Sequence, residues 1–245
     1  MFWKRKQKCP INLEDKDWIV KHLNWIDKSI VKIENQPTIL PTKKFFDGEF
    51  KGEEQDAEFV LKRIGEYCKI DIDNINLDFY SEESVRLDTG LMTEREGDGS
   101  AGLYIQNGGA FSILIEVQQL QKPNSLIAVI AHELSHFVLM GQKDVYLEGD
   151  ENEWLTDLLA IAYGFGIFLG NTKFSFSQWQ SGDGWGGWQY STQGYLPQQI
   201  IAYAMAEIEI RRTNKIPNWT DYLKKDFKND FQKSMKFLIS ERENK

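Results

Sequence analysis

Apolar residues recur at helical spacing over residues 11–33, where Trp18, Leu23, Trp25, Ile26, Ile30 and Ile33 share a face. The stretch Pro37 to Pro41 ends that pattern. A second amphipathic helix is predicted over 53–69, with Phe59, Val60, Ile64 and Tyr67 on its inner face. Between residues 75 and 117 the period shifts towards two. Short strands are predicted at 75–79, 84–87, 103–105 and 113–117, separated by Gly- and Asp-rich intervals at 96–100 and 107–109. From residue 124 the pattern is helical again, with Asn124 or Ser125, after Pro123, as the N-cap. Gly141 is a natural stop for that helix. A second apolar helix opens at Glu153 and runs to about Leu169. Helical spacing returns over 198–211, and one amphipathic helix follows Pro217. This order predicts an α+β fold. A small, mostly antiparallel sheet packs on one buried helix and a second, glutamate-bearing helix, with further helices at both termini. Residues 1–70 form an N-terminal helical segment and 71–245 the remainder, together one compact domain.

The formal charge of −8 argues against a nucleic-acid partner, because the one dense basic run is Lys4-Arg5-Lys6 with Lys8. That run is not followed by the apolar core of a signal peptide. Instead the chain reads Ile11-Asn12-Leu13-Glu14-Asp15-Lys16-Asp17. The apolar stretches read as too short to span a bilayer, or as interrupted by His and Glu, so no membrane partner is expected. Cys9 and Cys68 have no metal-ligand spacing, and Cys68 falls in an amphipathic pattern that suits a buried free thiol. A cytoplasmic location is the expectation.

The run His132-Glu133-Leu134-Ser135-His136 changes the picture, because it fits H-E-x-x-H. Residues four apart on a helix lie on one face, one turn apart. Two imidazoles so placed can hold one zinc ion at about 2.0–2.1 Å each. Glu133 is then placed to take a proton from a water that the metal activates. With three histidines in the chain, such a spacing seldom arises by chance. The flanks, 126–131 and 137–140, are apolar nearly all round and predict a buried helix. Two imidazoles and a carboxylate inside it need partners.

A catalytic zinc takes three protein ligands and leaves a fourth position to water. No third histidine follows His136, and His22 lies far upstream where a packing or surface role is the simpler reading. The third ligand is therefore expected to be a carboxylate. Glu153 and Asp157 lie one turn apart on the second apolar helix. Glu153 ranks first, then Asp157, with Glu148 and Glu151 behind. Alternatively, with Asp150 as N-cap, Glu153 is the N3 partner of a capping box. If Glu153 binds the metal, Asp157 can accept the Nδ1–H of a ligand histidine and fix its tautomer.

The arrangement His132-Glu133-x-x-His136 followed by Glu153-x-x-x-Asp157 resembles the gluzincin-type zinc metallopeptidases over about residues 113–170. The resemblance implies His132, His136 and Glu153 as Zn2+ ligands, Glu133 as general base and Asp157 as support. It also implies a peptide or protein substrate. In that group a sheet edge beside the active-site helix commonly holds an extended substrate, and residues 112–117 or 101–106 could do so here. Simple pairing within the sheet is the equal alternative.

Residues 174–197 combine glycines with Trp179, Trp185, Trp188, Tyr190 and Tyr195. So many aromatic residues in a glycine-rich loop should be covered. The loop either walls the metal site or packs on the domain surface. A Tyr190 or Tyr195 hydroxyl could stabilise an oxyanion. The leading expectation is thus a zinc-dependent hydrolase, a metallopeptidase. The alternative is a non-catalytic binding or regulatory protein with a closed structural zinc site, its fourth position filled by Glu148, Asp150 or Glu151. A buried helix without metal is the third reading.

Overall fold

The computed structural model describes residues 7–81, 102–107, 110–148, 150–179, 195–213 and 215–243. The fold is α+β and mostly helical. The chain forms two units, each assembled from separated stretches: Met1–Leu40, Gly149–Asn171 and Thr192–Lys245 in one, Pro41–Glu148 and Thr172–Ser191 in the other.

The first unit is helical among its described residues. Helix α1 (Leu13–Ser29) starts where the Asn12 side chain accepts a hydrogen bond from the Asp15 N–H at 2.7 Å, an N-cap that satisfies one orphan donor. Ile19, Leu23 and Ile26 are its buried stripe. The chain leaves the helix earlier than the sequence pattern suggests, and Ile33 is buried from a separate 3₁₀ turn, Ile33–Asn35.

The second unit holds α2 (Glu54–Cys68) and the sheet. Asp56 Oδ2 accepts from the N–H groups of Lys51, Gly52 and Glu53 at 2.8, 2.7 and 3.1 Å, which anchors the first turn of α2. Ala57, Val60, Leu61, Ile64 and Cys68 face inward, while Phe59 and Tyr67 flank that stripe and stay half-buried. Burial also pushes the Cys68 thiol pKa up.

Strands β1 (Ile75–Tyr80), β2 (Gly102–Asn107) and β3 (Ala110–Glu116) form a sheet in the order β1-β3-β2. The predicted strand at 84–87 lies outside the described residues. β2 pairs antiparallel with β3, but β1 pairs parallel with β3, Ile75 opposite Phe111 through Tyr80 opposite Glu116. The sheet is therefore mixed and not mostly antiparallel. Alternation reveals that strands exist; their direction follows from the connections. Two residues join β2 to β3 and impose a hairpin, whereas twenty-one residues separate β1 from β2 and leave room for a crossover. β3 is the central strand, with Ile113 and Ile115 fully buried. It is paired on both sides, so residues 112–117 offer no free edge for an added strand.

Helix α3 (Pro123–His136) packs against α2, β2 and β3. Pro123 itself opens it, contrary to the expectation of an Asn124 or Ser125 cap, because a fixed φ and a missing N–H suit the first helical position. Ser125 is used differently: its hydroxyl donates to Gln119 Oε1 at 2.7 Å, and Gln119 Nε2 donates to Glu116 Oε2 at 3.4 Å. This buried chain ties the end of β3 to the start of α3. A π-helical turn, Phe137–Gln142, carries α3 past His136 and just past Gly141.

In the first unit, α4 (Asp150–Ala160) runs through a π-helical turn, Ile161–Phe165, towards α5 (Gly166–Trp179). Helices α6 (Gln198–Arg212) and α7 (Lys225–Glu243) pack together, separated by a 3₁₀ turn at Asn218–Tyr222; of the loop expected over 174–197, residues 174–179 are instead helical in α5, and 180–194 lie outside the described residues. Contrary to the sequence expectation, Pro123–Gln142 and Asp150–Thr172 are each long and apolar enough to cross a membrane by length and composition. Of their apolar windows, 83% and 100% are buried inside the protein, which accounts for that composition as core.

Gly164 sets the break after α4. Its φ is 104°, its carbonyl accepts from the Ile39 N–H at 3.0 Å, and an added Cβ would meet the Pro37 oxygen at 2.1 Å. A side chain there meets both an unfavourable backbone conformation and a main-chain wall. Gly164→Ala should therefore cost at least about 2 kcal/mol, read as a lower midpoint in thermal or denaturant unfolding. Of the two cysteines, half-buried Cys9 should react with a thiol reagent in the native protein, and Cys68 only after unfolding.

Candidate metal centre

His132, Glu133 and His136 lie on α3 with relative exposures of 5, 4 and 7%, so all three polar side chains are inside the protein. The helix is apolar on every side, and this removes water as their general partner. His132 Nε2 and His136 Nε2 approach to 3.1 Å, with their rings edge-on at an interplanar angle of 81°. Two nitrogens bound at about 2.0–2.1 Å to a tetrahedral ion stand roughly 3.3 Å apart. The pair is thus spaced for a common metal, and the same distance suits an N–H···N hydrogen bond when one ring donates.

The helix backbone around the pair is held from several sides. The Ser135 hydroxyl donates back to the Ala131 carbonyl at 2.8 Å. Phe137, next to His136, packs edge-on against Phe111 of β3 at 4.7 Å between ring centres. The π-helical turn begins at Phe137, directly after the second histidine. Such turns shift the helix face by a fraction of a turn and recur at functional sites.

The acidic candidates separate by burial. Glu148 and Glu151 are exposed, Glu153 is half-buried and Asp157 is 3% exposed. Glu153 and Asp157 both lie on α4, one turn apart and on one face. Beside Glu153, Trp154 packs edge-on against Trp18 of α1 at 5.6 Å. His132 and His136 belong to one unit and Glu153 to the other. Two imidazoles and one carboxylate are a donor set that zinc accepts.

Asp157 has a partner that its sequence position does not reveal. Its Oδ2 accepts from the backbone N–H of Leu196 at 2.9 Å in a buried hydrogen bond across 39 positions of sequence. A carboxylate in an apolar helix is thereby satisfied in part by main chain. Tyr195, adjacent to Leu196, is half-buried; Tyr190 and the rest of 180–194 lie outside the described residues. His22 is a packing histidine. Its Nδ1 lies 2.8 Å from the Trp18 carbonyl, its ring lies 4.2 Å from that of Trp18, and burial holds its pKa below the usual value.

Sequence reasoning missed the Glu116–Gln119–Ser125 chain and the bond from Leu196 to Asp157. The second had no signal beyond a buried acid in an apolar helix, since its donor is a main-chain group. No family model, no curated protein and no solved structure matches the chain.

Proposed function

We propose that the protein is a zinc-dependent hydrolase acting on peptide bonds, with His132, His136 and Glu153 as the metal ligands. The observation that carries this reading is the pair of buried imidazole nitrogens 3.1 Å apart with Glu133 between them on one helix. Glu153, half-buried on α4, offers the carboxylate proposed as third ligand. Bound zinc would supply a Lewis acid that activates water and polarises the scissile carbonyl.

The chain's own residues do the rest. Glu133 accepts the proton of the attacking water and passes it to the leaving nitrogen. Asp157 steadies the site, and Tyr195 supplies a phenol that can donate to the developing oxyanion. The mostly buried setting of the two apolar helices supports a water-soluble enzyme, for which we propose a cytoplasmic location and a peptide or protein substrate.

Elemental analysis of the purified protein should find about one zinc per chain. Glu133→Gln should keep that zinc and lower kcat about 10²–10⁴-fold on a cleaved peptide, whereas His136→Ala should lose the metal. An undiminished Glu133→Gln variant would remove the general base from the scheme. Zinc with no turnover on any peptide library would favour a structural metal instead.

Metal also has a stability consequence. Ligand binding to the folded state alone raises its stability by mass action. Stripping zinc with a chelator should therefore lower the thermal midpoint by about 5 °C or more, and stoichiometric zinc should restore it. His136→Ala should start at the lower midpoint and not respond.

A further inference from the structure

We propose that a small cavity beside α6 is the site of one internal water molecule, which completes the hydrogen bonding of a buried ion pair. The inference is independent of the metal site, and every residue it uses belongs to the first unit. The cavity has a volume of about 10 Å³, and Thr38, Glu209 and Arg212 supply its polar wall. A buried water needs roughly 10–15 Å³ of such space and two to four polar partners. The space therefore suits one water and nothing larger.

The hydrogen bonds of the ion pair leave a donor and an acceptor over. Arg212 Nη1 lies 2.9 Å from Glu209 Oε1, with the two side chains 11 and 7% exposed. The Thr38 hydroxyl donates to Glu209 Oε1 at 3.1 Å and accepts from Arg212 Nη1 at 3.0 Å. Arg212 Nε and Nη2 both donate to the Ile33 carbonyl, at 3.2 and 3.1 Å. A guanidinium carries five N–H donors. Among the described residues these bonds use four of them and leave one N–H of Nη2. On the carboxylate they all fall on Oε1 and leave Oε2. A buried charged group without its full set of hydrogen bonds is costly. One water can donate to Oε2 and accept from Nη2, which meets both needs at once.

The charge of the wall points to the same ligand. Glu209 and Arg212 offset one another, so the cavity favours a neutral molecule over a cation. Ile161 and Gly164 line it as well, at the π-helical turn where α4 breaks. Helices kink where a glycine, a π-helical turn or an inserted water interrupts the ladder. The site thus adjoins that break as well as the ion pair.

High-resolution crystals of the wild type should show one water in the cavity, about 2.7–3.2 Å from Glu209 Oε2 and from Arg212 Nη2. In solution, oxygen-17 relaxation dispersion counts the waters that tumble with the protein. Glu209→Gln keeps a polar side chain of the same shape and should leave that count unchanged. Glu209→Met combined with Arg212→Met removes both charges together, so that neither is left unpaired. The double variant should lower the count by about one, because apolar cavities stay dry. An empty cavity in wild-type crystals, or a metal ion in it, overturns the proposal. So does an equal count in the wild type and the double variant. If the double variant does not fold, the wild-type crystals decide alone.

Discussion

Placing two imidazoles and a carboxylate on a helix that is buried all round imposes a demand that the surrounding apolar residues cannot meet. The effective penalty for a buried, unpaired ion is several kcal/mol, comparable to a large share of a domain's net stability. α3 accepts His132, Glu133 and His136 together within five residues, while Leu126, Ile127, Ile130, Leu134 and Leu139 pack around them. The 3.1 Å approach of the two Nε2 atoms is one contact through which the histidines meet that demand. The apolar flanks that look like a membrane span are the walls that make the demand.

Around α3, local chemistry is used to hold helices at defined places. Pro123 opens α3, and the buried Glu116–Gln119–Ser125 chain ties its start to the end of the central strand. Phe111 against Phe137 fixes the other end, where the π-helical turn begins. α4 is supported in the same manner inside its own unit. Trp18 meets Trp154 near its start, Asp157 takes the Leu196 N–H in its middle, and Gly164 ends it against Pro37. The Gly164 break depends on a main-chain oxygen that leaves no space for a Cβ.

The order of helix, strands and helices was legible because apolar periodicity changes from 3.6 to two and back. The candidate metal residues were equally legible, since His132, Glu133 and His136 are close in sequence and helical spacing places them on one face. Glu153 ranked first among the acids from its helix, and burial separates it from exposed Glu148 and Glu151. Strand direction was not legible. Alternation is the same in parallel and antiparallel strands, so β1 beside β3 depends on how the chain returns.

What the sequence by itself determined is local: which residues form helices, which faces are apolar, and that one buried helix carries an H-E-x-x-H set of donors. Those properties follow from spacing and side-chain chemistry over a few turns. Only the tertiary structure decided that β1 lies parallel to the central strand, that Gly164 is walled by Pro37, and that Asp157 takes the Leu196 N–H. Each of these joins positions far apart in the chain. All three use main-chain atoms, which every residue carries and which therefore leave no mark in a sequence.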